Sequence, residues 1–292
     1  MNNNYVFMTD SDSDLLYSIA DEKNIPVVKM PYILDGKEYF DDNGRSGGEK
    51  EFFDKMRAGA APSTSLLPTA AYLEYFEPIL KEKDLLFIAF SSQMSATINN
   101  IMEAREELLG KYPDRKFIVV DTLSISAPMS LLVIKAHEMY ENGASMEEIE
   151  QWIRDYRLCA HAWLTVDDLK YLRRGGRISS TSAVFGTVLD IKPILTIGRG
   201  GKIDPAEKVQ GRKKALRTLV ERSIENMDVI EETDVILLHA DAEEEVNRLK
   251  EMLLQKAPAL KSIRIQMIGP VIGAHCGPGT LAVCFIGKER KS

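Results

Sequence analysis

The run Asp84–Leu109, DLLFIAFSSQMSATINNIMEAREELL, limits the possible folds of this chain more than any other segment. Six apolar residues, Leu85 to Phe90, lead into Ser91-Ser92-Gln93-Met94-Ser95, after which Ile98, Ile101, Met102 and Leu108 recur at helical spacing. A short apolar run bounded by turn residues reads as a buried strand, and the periodic run as a helix. Ser95 is placed to cap that helix. A strand entering a helix through a serine-rich turn leaves backbone N–H groups free at the positive end of the helix dipole, where an anion is stabilised. The serines serve equally well as plain caps and turn formers, and the segment alone leaves both readings open.

The same grammar appears elsewhere in the first half. Tyr5–Thr9 reads as a strand ending in Thr9-Asp10-Ser11-Asp12-Ser13, followed by a helix carrying Leu15, Leu16 and Ile19. Asp10 and Asp12 either cap that helix or ligate a metal. Ile25–Leu34 reads as a strand placed near an edge by Pro26 and Pro31. Asp35-Gly36 is a hairpin turn returning through Lys37–Phe40. Glu49–Ala58 and Thr69–Lys81 read as helices, with Thr64 and Ser65 in the loop between them, where their hydroxyls cap or reach a ligand. Lys116–Val120 is a further strand, followed by helices over Ala127–Tyr140 and Ser145–Tyr156. Strand–helix alternation predicts an open parallel sheet with helices on both faces. Ligands of such sheets sit beyond the carboxyl ends of the strands, where the polar turns after Phe7, Phe90 and Val120 lie.

The character changes near His161. Ala162–Val166 reads as a strand and Asp167–Leu172 as a helical turn, followed by the basic turn Arg173-Arg174-Gly175-Gly176-Arg177. Gly198-Arg199-Gly200-Gly201 between Ile191–Ile197 and Lys202-Ile203 is a hairpin signature. Lys208–Ile224 reads as a helix with Arg212 on an early turn. Val235–His239, Ile263–Ile268 and Leu281–Ile286 read as strands, Glu243–Leu254 as a helix, and Val271–Gly279 as a Gly/Pro loop. Hairpins mixed with helices predict a second α/β domain, giving an N-terminal domain over 1–160 and a C-terminal domain over 161–292.

Composition excludes several function classes. A chain that is 45% hydrophobic and 28% charged is globular in character. The net charge of −7 argues against general nucleic-acid binding. There is no run of ~18 apolar residues to span a membrane, and MNNNYVFMTD lacks the basic and apolar regions of a signal peptide. Three cysteines, Cys159, Cys276 and Cys284, form no CxxC pair and fit a reducing cytoplasm. No G-x-x-x-x-G-K-[ST] phosphate loop occurs, so autonomous ATP use is not expected.

Six elements in order resemble those of the DegV family, which includes the fatty-acid-binding subunits of bacterial fatty acid kinase. Thr9-Asp10-Ser11 resembles the family's opening strand end, and Ser63-Thr64-Ser65 its Thr-Ser element, with Leu66-Leu67 in place of the usual Gln-Pro. Ser91-Ser92-Gln93-Met94-Ser95-Ala96-Thr97 resembles SSxLSGTY, with Met94, Ala96 and Ile98 in place of Leu, Gly and Tyr. The run from Leu169 to Ile178 is similar to LxxLxxGGRI, Ile191–Leu195 to IKPIL, and His275-Cys276-Gly277-Pro278-Gly279 to an H-x-GPG element. Gln210 stands where many relatives have an arginine.

The resemblance implies a two-domain DegV-like fold with a ligand tunnel between the domains. It implies a non-catalytic carrier without cofactor or metal, which binds a long-chain fatty acid such as palmitate, stearate or oleate. The carrier would present the carboxylate to the catalytic subunit of a fatty acid kinase in cytoplasmic phospholipid metabolism, exchanging lipid with membranes without stable insertion. Thr64, Ser65, Ser91, Ser92, Ser95, His275 and Gly277 would surround the carboxylate, and Arg173, Arg174, Arg177 and Arg212 would dock the kinase. The alternative is a serine-dependent lipid hydrolase or acyltransferase using Ser92 or Ser95 as nucleophile, although the turn lacks the glycines of G-x-S-x-G. Cys276 beside His275 is not expected to act as a nucleophile, and His137, His161 and His239 read as structural or surface residues.

Overall fold

A computed structural model describes residues 4–178 and 190–291. The first half builds a parallel sheet from β1 (Tyr5–Asp10), β2 (Val27–Val28), β6 (Asp84–Ala89) and β7 (Phe117–Asp121), in the order β2-β1-β6-β7. Between β2 and β6 the chain forms a small antiparallel sheet, β4-β3-β5, from β3 (Pro31–Leu34), β4 (Lys37–Phe40) and β5 (Ser63–Thr64). The second half builds a mixed sheet, β10-β9-β8-β13-β11-β12. Its strands are β8 (Ala160–Thr165), β9 (Ile191–Ile197), β10 (Ile203–Gln210), β11 (Asp234–His239), β12 (Ser262–Met267) and β13 (Leu281–Ile286). Among the described residues only β11 and β12 in it pair in parallel.

The helices follow from where apolar residues need cover. α3 (Thr69–Leu80) and α4 (Thr97–Lys111) bury Tyr72, Phe76 and Ile101 against the Phe87 and Phe117 face of the parallel sheet. α5 (Ser126–Glu141) is buried around most of its circumference over its first two turns, because it contacts β1 on one side and β8 and β13 on the other. α6 (Met146–Tyr156) is amphipathic and starts with a capping box between Ser145 and Glu148. α8 (Arg212–Asn226) and α9 (Glu243–Lys256) cover the far face of the mixed sheet. The sheets therefore separate near Ala160, but the largest core does not: Phe7, Leu86 and Val120 share one cluster with Leu164, Leu195 and Ile236.

Several elements differ from what the sequence predicts. The helix after β1 is α1 (Tyr17–Glu22) and excludes Leu15 and Leu16, because Ser11–Ser13 form a 3₁₀ turn closed by Asp14 at φ 50. The strand expected over Ile25–Leu34 divides at Met30, whose N–H goes to Ser11 Oγ and whose carbonyl accepts from Asp41. Thr64 lies on β5, paired with Tyr32, and not in a loop. Lys208–Gln210 extend β10, and the helix waits until after Gly211 at φ 83. The Gly/Pro loop expected over Val271–Gly279 is in its first part a helix, α10 (Pro270–Cys276), with Pro270 in its first turn and Gly277 at its end. No helix among the described residues is long and apolar enough to cross a membrane.

Candidate functional site

In the parallel sheet, β1 leads to β2 on one side while β6 lies on its other side, so the strand order reverses between them. A reversal of that kind leaves a crevice beyond the carboxyl ends of the two strands. The turn after β1 contributes Asp12 there, and the turn after β6 contributes Phe90, Met94, Ser95 and Thr97. The opposite wall comes from the second half: Leu172 of α7 (Lys170–Arg174), Arg177, Ile203 of β10, and Val271, Ile272, His275 and Cys276 of α10. Together they enclose a cavity of about 240 Å³ with mostly apolar walls.

At its polar end Thr64 Oγ1 and His275 Nε2 stand 2.9 Å apart. Burial, followed by the charges of Arg177 and Arg174, lowers the imidazole pKa to about 4, so it is neutral near pH 7. His275 Nδ1 has no partner among the described residues. It packs on Gly175, where an added Cβ would lie 2.2 Å away, which is why the turn needs glycine there. An orphaned N–H is rarer and costlier than an under-used acceptor. The ring hydrogen is therefore assigned to Nε2: His275 donates to Thr64, and the Thr64 O–H remains free to donate into the cavity. The same two residues, with Arg174, Gly175 and Arg177, also line an outer cavity of about 240 Å³.

The other anticipated site residues divide. Ser65 and Ser95 line the inner cavity beside Thr64 and His275. Ser95 is not the helix cap: α4 begins one residue later than that would need, and the Ser95 hydroxyl accepts from Thr97 N while pairing with Thr97 Oγ1. Ser91 and Ser92 do not line the cavity. Ser91 is buried with its hydroxyl donating to Gly201 O, and Ser92 N donates to Asp121 Oδ1. Gly277 lies behind the wall, its φ of 79 and its approach to the Tyr171 ring excluding a side chain. Asp12 and Thr97, not anticipated in the site, are both in it.

Of the basic residues, Arg173 and Arg174 are exposed, and Arg174 stacks over Tyr171 and donates to Pro62 O. Arg177 turns inward, donating to the Met94 and Gly175 carbonyls and lining both cavities. Arg212 is engaged within the fold by Glu245, Asp167 and the Gly279 carbonyl.

Four carboxyls, of Asp10, Asp12, Asp14 and Asp41, are buried, and of these Asp12 lines the cavity. Asp10 accepts from Asp12 N, Asp14 from Ser126 Oγ and Gly269 N, and Asp41 from Asn43 N and Val271 N. Burial pushes Asp10 and Asp14 up to about 7 and Asp41 up to about 8. Among the described residues no group of three or more His, Cys, Asp or Glu is arranged to hold a metal ion. Burial also pushes the Cys276 thiol up to about 12, so it stays protonated. The Ser92 hydroxyl accepts from Gln93 Nε2, and the cavity's histidine is bonded to Thr64, so neither Ser92 nor Ser95 is paired with it as a nucleophile would be.

An α/β scaffold with a mostly apolar cavity carrying a few hydroxyl, imidazole, carboxyl and guanidinium groups is the architecture of a small-molecule binding protein. Residues 5–288 match the DegV family, described as uncharacterised, and the chain belongs to that family. It is 38% identical to a DegV domain-containing protein of Clostridium perfringens over 98% of this chain and 99% of the relative. Among solved structures it is similar to a fatty-acid-binding DegV family protein from Thermus thermophilus, with 28% identity, a TM-score of 0.87 and coverage of 97% and 99% of the two chains. It is also similar to a DegV lipid-binding protein from Thermotoga maritima, with 29% identity, a TM-score of 0.85 and coverage of 99% and 100%. More distant structures include one with vaccenic acid, one loaded with heptadecanoic acid and one of a stearic-acid-binding protein. At 20%, 22% and 21% identity they establish the fold alone for this chain.

Proposed function

We propose that this chain is a carrier that binds a long-chain fatty acid such as palmitate, stearate or oleate and presents its carboxylate to a separate fatty acid kinase. In this reading residues 1–160 and 161–292 act as two domains with the acyl chain in a tunnel between them. The observation that carries it is the Thr64–His275 pair, which stands in the wall of both the apolar inner cavity and the basic outer one. An acyl chain in the inner cavity would bring its head to the Thr64 hydroxyl, on the side that Arg174 and Arg177 line. Burying ~15 methylenes at ~0.8 kcal/mol each is worth on the order of 12 kcal/mol before association costs. The chain therefore supplies the affinity and the polar groups orient the head. A carboxylate held by a hydroxyl instead of a bidentate arginine keeps an oxygen free for phosphoryl transfer.

The test is mass spectrometry and melting of the protein purified from a bacterial host. An intact fatty acid should co-purify. Stripping it should lower Tm, and re-adding oleate should restore it, since a ligand at ~100 times its Kd stabilises by about 2.7 kcal/mol. A melting temperature indifferent to both steps counts against a buried acyl site.

A further inference from the structure

The cavity contains a group that a carboxylate ligand has no evident reason to meet. Asp12 lines it, is 4% exposed, and has an Oδ1 without a hydrogen-bond partner among the described residues. Its acidic neighbours are occupied differently: Asp14 and Asp41 each hold backbone N–H groups of α10 or its approach, and Asp10 holds the turn itself. Asp12 instead lines the cavity together with Arg177, whose half-buried guanidinium is the positive charge that acts on it.

Two ionised carboxyls brought together in a buried pocket repel strongly, because little water is left to screen them. The Thr64–His275 pair is neutral and cannot offset that, and Arg177 brings one positive charge, enough for one carboxylate. The stable arrangement of two carboxyls in such a pocket is one shared proton. We infer that Asp12 selects the head group: its carboxyl O–H donates to the ligand carboxylate, and one proton is drawn from solvent whenever a fatty acid binds to protein with Asp12 ionised. The reaction is ligand carboxylate plus Asp12 carboxylate plus one proton giving a single O–H···O⁻ pair, with no other bond made or broken. This inference rests on the fatty-acid reading of the cavity.

The surroundings favour the protonated partner being Asp12. Burial raises its pKa well above the ordinary range, Asp10, Asp41 and Asp14 raise it further in that order, and Arg177 opposes them. Tyr72, behind the acids, is held in its neutral form chiefly by burial, and His275 across the cavity is neutral. Glu49 acts on Asp14 and Asp41 from further out.

The test is calorimetry of the delipidated full chain with decanoate, in two buffers of different ionisation enthalpy, from about pH 6 to about pH 10, with decanol as the uncharged probe. Proton uptake per decanoate should rise toward about one with pH, and affinity should then fall about tenfold per pH unit. Decanol should take up none. Asp12→Asn should bind decanoate without uptake and with a flat profile. Absence of uptake by the wild type overturns the inference, and so does uptake that survives in Asp12→Asn, which would move the proton to Asp10, Asp14 or Asp41. Should the variant fail to fold, the wild-type comparison of decanoate with decanol decides alone. Failure of both decanoate and oleate to bind sinks the fatty-acid reading itself, whereas proton-neutral binding sinks only the role of Asp12.

Discussion

Thr64, His275 and Gly175 form one unit. The imidazole is pressed onto the glycine and hydrogen-bonded to the hydroxyl, so the direction of the Thr64 O–H depends on a residue with no side chain. Gly175→Ala should push the ring away from Thr64 at an overpacking cost of about 1–3 kcal/mol. Thr64→Val keeps the shape and removes only the hydroxyl, which is worth about 1.5–3 kcal/mol against a charged head. Both variants should still carry lipid, more weakly. In the proposed carrier role, acyl-phosphate yield with a kinase should drop further than occupancy does, because the reacting oxygen would no longer be held in place. Equal falls in occupancy and yield, measured by mass spectrometry beside product formation, would remove the orienting role. Sequence reading reached Thr64, Ser65, Ser95 and His275 through motif order. It names Ser91 and Ser92 beside them, and these do not line the cavity; a one-dimensional pattern shows which residues are hydroxylated and not which way a turn points them. The Ser91 hydroxyl is taken by Gly201, which is 110 residues away in the chain.

At the scale of elements, α10 is the piece the sequence concealed. Gly269, Pro270, Gly273 and Gly277 look like loop composition, yet proline in the first turn and glycine at the end are helix punctuation. Asp14 and Asp41 accept N–H groups at its start, so the polar turn after β1 and the loop after β4 fix the helix that carries His275. Asp14 and Asp41 lie 255 and 230 residues from the N–H groups they accept, so nothing in the local pattern links them to α10. By contrast, the run from β6 into α4 was legible because both elements are local and strongly patterned. The buried acids have a consequence for stability. A carboxyl raised in the folded state holds its proton there while the unfolded chain releases it, so folding is favoured at low pH and loses stability as pH rises from about 4 toward the folded pKa. For Asp10 that window ends near the folded value of about 7. Every tenfold difference in proton affinity between the folded and unfolded chain is worth about 1.4 kcal/mol. Asp10→Asn keeps the shape and an oxygen to accept from Asp12 N while removing the titration. Urea unfolding should show the variant gaining on the wild type between about pH 4 and pH 7, with a constant difference above that. A difference independent of pH would mean that Asp10 is ionised throughout.

Across the whole molecule, the two sheets share one core, so the halves are not free to hinge apart cheaply. Composition and alternation showed two sheet systems in order, but not that α5 would pack between them, since a helix buried on opposite sides reads in sequence only as a long apolar helix. In the proposed function, access to the ligand head would then be a matter of surface, and the basic turn after α7 is the surface beside the second cavity. Its members differ in what they are free to do. Arg212 is held by Glu245 and Asp167, and Arg177 faces inward, while Arg173 is exposed on the helix leading to the turn. On a chain of net charge −7, such a local positive patch would steer an acidic partner, and rim charges act mostly on association rate and salt dependence. Arg173→Glu should therefore leave fatty-acid occupancy and Tm within error. If the proposed kinase coupling holds, it should slow acyl-phosphate formation by about tenfold at low salt, equivalent to about 1.4 kcal/mol, with the gap closing as salt screens the charge. Arg212→Glu, which breaks ion pairs inside the fold, should instead lower Tm, and any loss of coupling should follow that destabilisation. If Arg173→Glu couples to the kinase as well as the wild type does at low salt, the patch is solvated and docking occurs elsewhere on the molecule.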